Sequence, residues 1–215
     1  MKMKTKTKPS FDEEKKYWTR GIDYIIGIDE VGRGAFAGPI VAAGVIYKPN
    51  FKHLFLKDVN DSKMLSHKRR NELSPLIKKH ALFFAIEEIG VPYINKYGIG
   101  KANNAVFRKV LKKLIPKIGS SNFFILADGF HKKYLPGGIL KQKGILKGDR
   151  TSISIASASI IAKVRRDNIM KDAEFQYPNY KFAKNKGYGT LYHRRMIQEH
   201  GLTIIHRTSF HFRSF

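Results

Sequence analysis

Twice in this chain an apolar run of strand length ends in an acid with glycine close behind. Tyr24-Ile25-Ile26-Gly27-Ile28 leads into Asp29-Glu30-Val31-Gly32-Arg33-Gly34, and Phe123-Phe124-Ile125-Leu126-Ala127 leads into Asp128-Gly129. Both runs are too short for helices and rich in β-branched or aromatic residues, so they predict buried strands. Each delivers a carboxylate to a strand end, where the sites of open α/β sheets gather, and two such acids reach one ion if their strands are neighbours. Successive strand side chains point to opposite faces, so Asp29 and Glu30 serve one site only if the chain turns between them, as Gly32 and Gly34 allow. Taken singly, Asp-Glu and Asp-Gly also read as ordinary polar turns.

The rest of the chain alternates apolar and amphipathic segments, which predicts one α/β layer structure without internal repeats. Strands are expected over 24–29, 40–47, 82–89 and 122–127, the first two as an antiparallel pair. A helix is expected over 66–74, with Ser66 as its cap and Pro75 weakening any continuation. A second runs over 100–114, where Ala102, Ala105, Val106, Val110, Leu111 and Leu114 recur at helical spacing. A third spans 154–172, its small residues Ala156 to Ser159 suited to close packing on a sheet. The last covers 190–200 and stops at Gly201.

The 215 residues, 42% of them hydrophobic, suffice for one domain with a substantial core. Lys+Arg 41 against Asp+Glu 17 leaves a formal net charge of +24, which points to polyanions and first of all to nucleic acid. An anionic membrane surface competes, but neither end carries a lipidation motif. Part of the lysine also reads as plain solvated surface. With no cysteine, disulfides and thiolate metal sites are excluded. No apolar run approaches the ~20 residues of a membrane span. Residues 1–10 alternate lysine and threonine without the apolar centre of a secretory leader, so the chain reads as cytoplasmic, with a flexible basic arm over 1–20 and a single domain over 21–215.

Two further acids stand out in so basic a chain: Asp149 in Lys147-Gly148-Asp149, and Asp167 in Arg165-Arg166-Asp167. Locally they read as a solvated loop and as a helix residue paired with Lys163, Arg165 or Arg166. Together with Gly27 to Gly34, Ala37-Gly38-Pro39, Asn60-Asp61-Ser62-Lys63, Ala127-Asp128-Gly129, the stretch from Ala158 to Asp167, Tyr177-Pro178, Lys186-Gly187-Tyr188-Gly189-Thr190 and His206-Arg207-Thr208-Ser209-Phe210, they follow an order and spacing that resembles the type 2 ribonucleases H, the bacterial ribonuclease HII family. The match runs from Tyr24 to Phe210.

That resemblance implies an α/β ribonuclease H-like fold, a mixed central β-sheet flanked by helices on both faces. It implies cleavage of the RNA strand of RNA/DNA hybrids and incision at single ribonucleotides embedded in duplex DNA, leaving 5′-phosphate and 3′-hydroxyl ends, by a monomer without membrane attachment. By motif position Asp29, Glu30, Asp128 and Asp149 look like the catalytic carboxylates, holding Mg²⁺ or Mn²⁺ in a two-metal arrangement. Asp167 matches a further family acid in a supporting place. The Gly32-Arg33-Gly34 loop is assigned to the 2′-hydroxyl of the ribonucleotide, and Tyr188 to stacking near the sugar at the RNA-to-DNA junction.

The chemistry asks for such residues in any case. Hydroxide attack on a phosphodiester builds charge that two divalent cations about 3.5–4 Å apart stabilise on both the attacking and leaving oxygens. Those cations take oxygen ligands, and four clustered acids would repel one another without them. Glycine backbone approaches a minor groove where bulkier residues cannot, which suits the reading of a 2′-hydroxyl. Lys63, Lys163 and Arg33 are candidate phosphate or positioning cations. His193 is either a phosphate contact, a solvated helix residue or, with His206, a packing residue. Other readings are a basic RNA-binding protein, which leaves the acid motifs without purpose, and ribonuclease HIII, which resembles the chain less because Arg33 fills the place between the loop glycines and few residues precede the first strand.

Overall fold

The computed structural model describes residues 8–119, 122–131 and 133–210. Five strands, β1 (Tyr24–Val31), β2 (Ile40–Ile46), β3 (Phe83–Ile89), β4 (Phe123–Asp128) and β5 (Gln142–Ile145), make one mixed sheet in the order β3-β2-β1-β4-β5. Among the described residues six α-helices accompany it: α1 (Asp12–Trp18), α2 (His67–His80), α3 (Val91–Ile118), α4 (Ile153–Gln176), α5 (Phe182–Asn185) and α6 (Leu191–His200). β1, β2 and β3 pair antiparallel in succession, while β4 runs parallel to β1 on one side and to β5 on the other.

The pleat sorts side chains between two helical layers. Ile26 and Ile28 of β1, Ile40, Ala42 and Ile46 of β2, and Ile125 and Ala127 of β4 pack under Ala102, Val106, Val110 and Leu114 of α3. The intervening Val41, Ala43 and Val45 meet Ala156, Ile160 and Ile161 of α4 together with Leu73 and Ile77 of α2. Every one of these side chains is fully buried, so the sheet is covered on both faces as the ribonuclease H-like expectation required. α4 lies almost on the sheet backbone: a Cβ placed on Gly27 would stand 2.3 Å from the Ser154 carbonyl carbon. A side chain there would push the helix off the strand.

Four elements depart from the sequence expectations. α2 does not weaken at Pro75 but continues to His80. Burial of Leu73 and Ile77 on either side outweighs the single hydrogen bond that a proline removes. α3 begins at Val91 rather than near residue 100, with Pro92 in its first turn and a break at Gly98 (φ 80°, ψ 159°), so the stretch foreseen from its periodicity is the part beyond the kink. β5 was not foreseen, because Gln142-Lys143-Gly144-Ile145 carries no apolar alternation. It is held as an edge strand by its pairing to β4.

The arm expected over 1–20 is the fourth. Residues 1–7 lie outside the described residues, but from Ser10 onward the chain is part of the domain. Ser10 bridges Ser152, α1 stacks Tyr17 on Phe124 with ring centroids 4.0 Å apart, and fully buried Glu14 accepts hydrogen bonds from Ser152 Oγ (2.7 Å) and the Ser154 amide (2.9 Å). Phe11, Tyr17 and Trp18 give the helix an apolar side that the surrounding lysines obscure in the sequence.

Candidate active site

The parallel register of β1 and β4 sets Ile28 opposite Ala127, so the next residues along, Asp29 and Asp128, leave the sheet side by side. Both belong to the face covered by α4. Asp29 is 5% exposed, accepts a 2.7 Å bond from the Glu30 amide through Oδ1, and shares a hydrogen bond with the Ser159 hydroxyl of α4. Burial holds the Asp29 carboxyl well above the usual carboxylate range, the negative charges of Asp128 and Glu30 raise it further, and the Ser159 bond opposes them.

Glu30 reaches the same place by a different route from the one expected. The chain does not turn at Asp29-Glu30, since β1 continues to Val31. Glu30 therefore points to the α3 face, where Asn103 Nδ2 donates to its Oε1 at 3.3 Å. Both acids border the cleft nonetheless, because it wraps around the end of the strand. Its roughly 450 Å³ are lined by Asp29, Glu30, Asp128, Gly32, Arg33, Gly34, Lys63, Lys163 and Tyr188 among the expected residues, and by Ser62 and Ser159 as well.

Asp149 sits beside this group without lining the cleft. It lies in a short 3-10 turn, Gly148–Arg150, that follows β5, and the turn is tied to β4 by a 2.7 Å bond from the Gly148 amide to Asp128 Oδ1. Burial raises its pKa to about 6, with the charges of Asp128 and Asp61 adding to the shift. Asp61, which the sequence presents only within the Asn60-to-Lys63 motif, is 1% exposed and hydrogen-bonded to Asp149. Arg150 donates to its Oδ2 from Nε (3.1 Å) and Nη2 (3.0 Å), and the Lys63 amide donates to its Oδ1 (2.9 Å).

Asp167 and His193 lie away from the cleft. Asp167 is 2% exposed on α4 and takes Lys163 Nζ at 2.6 Å and Arg70 Nη2 at 3.7 Å, so it holds a cleft cation rather than facing the cleft itself. The His193 ring is wholly buried, Nδ1 2.9 Å from the Tyr188 carbonyl and Nε2 3.0 Å from His206 Nε2. Neither the solvated nor the phosphate-contacting alternative fits that position. Packing around Tyr180 and Phe182 does, and it steadies the Tyr188 loop from behind.

Sequence reasoning passed over Ser62, Ser159, Asn103 and Asp61. In the sequence Ser159 reads as a small packing residue within the motif stretch from Ala158 to Asp167, and Asn103 falls in an unremarkable helical stretch. The available signals are the position of Asp61 and Ser62 beside Lys63 and that of Ser159 in the stretch that leads to Lys163.

The donors around Asp29 are all hard oxygens, which suit Mg²⁺ or Mn²⁺ and not soft metals. Among the described residues no three acidic or histidine side chains form a ready-made ligand group. Burial lifts Asp29 and Asp149 most, and the repulsion between neighbouring carboxylates that adds to it is of the kind a divalent cation removes. On that test the residues fit such an ion, with Asp29, Glu30 and Asp128 around the cleft and Asp149 against Asp128.

The profile of a protein family described as Ribonuclease HII matches residues 26–213. The Ribonuclease HII of Clostridium perfringens (strain 13 / Type A) is 46% identical over 187 residues, 87% of this chain; the chain covers 66% of that relative's length. The Ribonuclease HII of Syntrophus aciditrophicus (strain SB) is 41% identical over 201 residues, 94% of this chain and 90% of that one. Among solved structures, the ribonuclease H2 from Pyrococcus horikoshii OT3 aligns with a TM-score of 0.70 over 87% of this chain and 94% of that one, at 20% identity, a likeness of fold.

Proposed function

Since the chain belongs to the ribonuclease HII family, we propose that it is a metal-dependent endonuclease. It cleaves the RNA strand of RNA/DNA hybrids and incises duplex DNA at single embedded ribonucleotides, leaving 5′-phosphate and 3′-hydroxyl ends, as a cytoplasmic monomer. The observation that carries this reading is the meeting in one cleft of Asp29 and Asp128, on neighbouring parallel strands, with the Gly32-Arg33-Gly34 backbone.

Asp29, Glu30, Asp128 and Asp149 are the residues that hold Mg²⁺ or Mn²⁺. When bound, such ions supply an activated water and charge stabilisation on both oxygens of an in-line displacement. The remaining work falls to the protein. Lys163, kept in place by Asp167, and Lys63 present positive charge to the phosphates. The backbone of Gly32 to Gly34 approaches the 2′-hydroxyl, and Gly34 suits it because a Cβ there would meet nothing within 4 Å and project into free space. Tyr188 stacks on the sugar next to the junction.

The test is a digestion, with Mg²⁺ and with Mn²⁺, of a duplex carrying one ribonucleotide, a full RNA/DNA hybrid and plain DNA. Cleavage of the first two only, with ends that ligate after 5′-phosphate analysis, is the expected result. An Asp128→Asn variant that remains folded and fully active would sink the assignment of the carboxylates.

A further inference from the structure

Two arginines in the interior are used in an unusual way. Arg166 and Arg207 are both 0% exposed, and neither has a salt bridge among the described residues. Their hydrogen bonds go to backbone carbonyls instead. Arg166 donates from Nε to Pro39 (3.0 Å), from Nη1 to Lys186 (2.8 Å) and from Nη2 to Ala37 (3.0 Å). Arg207 donates from Nε to Gly38 (2.9 Å) and from Nη1 to Arg33 (3.0 Å).

All five carbonyls belong to two loops, 33–39 behind β1 and the turn at 186 that leads to Tyr188. Gly32 rests directly on Arg166, where a Cβ would stand 2.0 Å from Nε, and the Tyr188 ring lies with its centroid 5.3 Å from the same guanidinium carbon. A direct bond between the loops adds to this, the Phe36 amide donating to the Gly187 carbonyl at 2.8 Å, and the Arg207 amide ties its own segment to the first loop through the Phe36 carbonyl at 2.8 Å. Burying two unpaired cations is costly, and apolar side chains would fill the same volume more cheaply. What they would not supply is a rigid planar fork that fixes several carbonyls at set distances.

We propose that Arg166 and Arg207 are positioning residues for sugar selection, joining the Gly32–Gly34 backbone and Tyr188 into one rigid element whose spacing matches a ribonucleotide. This rests on the reading of that loop as the part that meets the 2′-hydroxyl. Lysine keeps the charge but has one nitrogen, which cannot span the carbonyls that Arg166 holds on both loops or the two, five residues apart, that Arg207 holds within 33–39.

The test measures KM for the single-ribonucleotide duplex and Ki for an all-deoxy duplex of the same sequence used as competitor, in Arg166→Lys, Arg207→Lys and Gly34→Ala. Each lysine variant is expected to raise KM for the ribonucleotide duplex about tenfold, the equivalent of about 1.4 kcal/mol, with Ki for the all-deoxy duplex unchanged. A general loss of structure moves both constants or neither, and either pattern overturns the proposal. Gly34→Ala separates this from failure of the loop reading. If it leaves the ratio of Ki to KM unchanged, the loop does not read the sugar. If it lowers the ratio while the lysine variants do not, only the positioning role fails. Where a buried ammonium prevents folding, Arg166→Gln and Arg207→Gln remove the charge together with the fork and carry the same expected loss. Unfolding of all four variants assigns the pair to the core and also overturns the proposal.

Discussion

Lys163 and Asp167 are one turn apart on α4, with Nζ 2.6 Å from Oδ1, and of the two only Lys163 borders the cleft. Burial lowers the Lys163 pKa and the Asp167 carboxylate raises it, so the charge presented to the cleft depends on an acid that does not touch it.

Replacing Asp167 by Asn therefore leaves burial unopposed. The Lys163 pKa falls further, and the alkaline limb of the activity profile moves to lower pH. Turnover at neutral pH is expected to drop about 10- to 100-fold, by analogy with the loss of a residue that orients a metal ligand. Rate profiles of the variant and wild type between pH 6 and 10 are the measurement; superimposable alkaline limbs would separate Asp167 from Lys163.

Metal dependence should be visible without any substrate. The raised pKa of Asp149, about 6, means that the folded state holds its proton where the unfolded chain has lost it. The ionised carboxyl thus costs stability as pH rises from about 4 through 6, and that cost persists above 6. Mn²⁺ or Mg²⁺ bound to the carboxylates reverses it, so thermal melting is expected to shift upward with added metal at pH 7.5 and hardly at all at pH 4. In Asp128→Asn the shift at pH 7.5 should shrink to near zero. Equal shifts at both pH values would contradict carboxylate ligation.

The histidine pair predicts the opposite slope elsewhere in the molecule. Burial, then the neighbouring His193, push His206 down to about 4. The unfolded chain takes up a proton near 6.5 and the folded chain does not, so this contribution is complete above 6.5 and is lost as pH falls from 6.5 to 4. The loss is about 1–2 kcal/mol after allowance for solvent screening. Chemical denaturation of wild type and His206→Gln at pH 7.5 and pH 5 isolates it: the stability gap between the two proteins should narrow at pH 5. A constant gap would show that the ring titrates normally.

The net charge of +24 predicts binding that weakens steeply with salt through counterion release. Between 50 and 200 mM salt, affinity for a ribonucleotide duplex is expected to fall by about 100-fold or more. A flat response in a fluorescence anisotropy titration would assign the lysines to solvated surface.

How much of this was legible in the sequence follows from how local each cause is. Asp29 and Asp128 were legible because an apolar run fixes a strand and the strand fixes where its acid emerges. Their adjacency needed the register Ile28 to Ala127, set by residues about a hundred positions apart. The continuation of α2 past Pro75 and the docking of α1 were hidden for the same reason, since both depend on surfaces supplied by distant segments. Arg166 and Arg207 look like any basic residues in a basic chain. Only the converging carbonyls of residues 33, 37, 38, 39 and 186 distinguish them. Asp167 was within reach of spacing arguments, as its Lys163 partner is four residues away.

The docking of α1 also has a consequence in time. Ser10 and Glu14 are among the first described residues to be synthesised, yet their partners Ser152 and Ser154 follow some 140 positions later. Contacts of such long sequence separation close late, after the intervening chain has collapsed. The turn bearing Asp149 lies between β5 and α4, just ahead of those partners, so the anchoring of α1 and the completion of the acid cluster draw on the same stretch of chain.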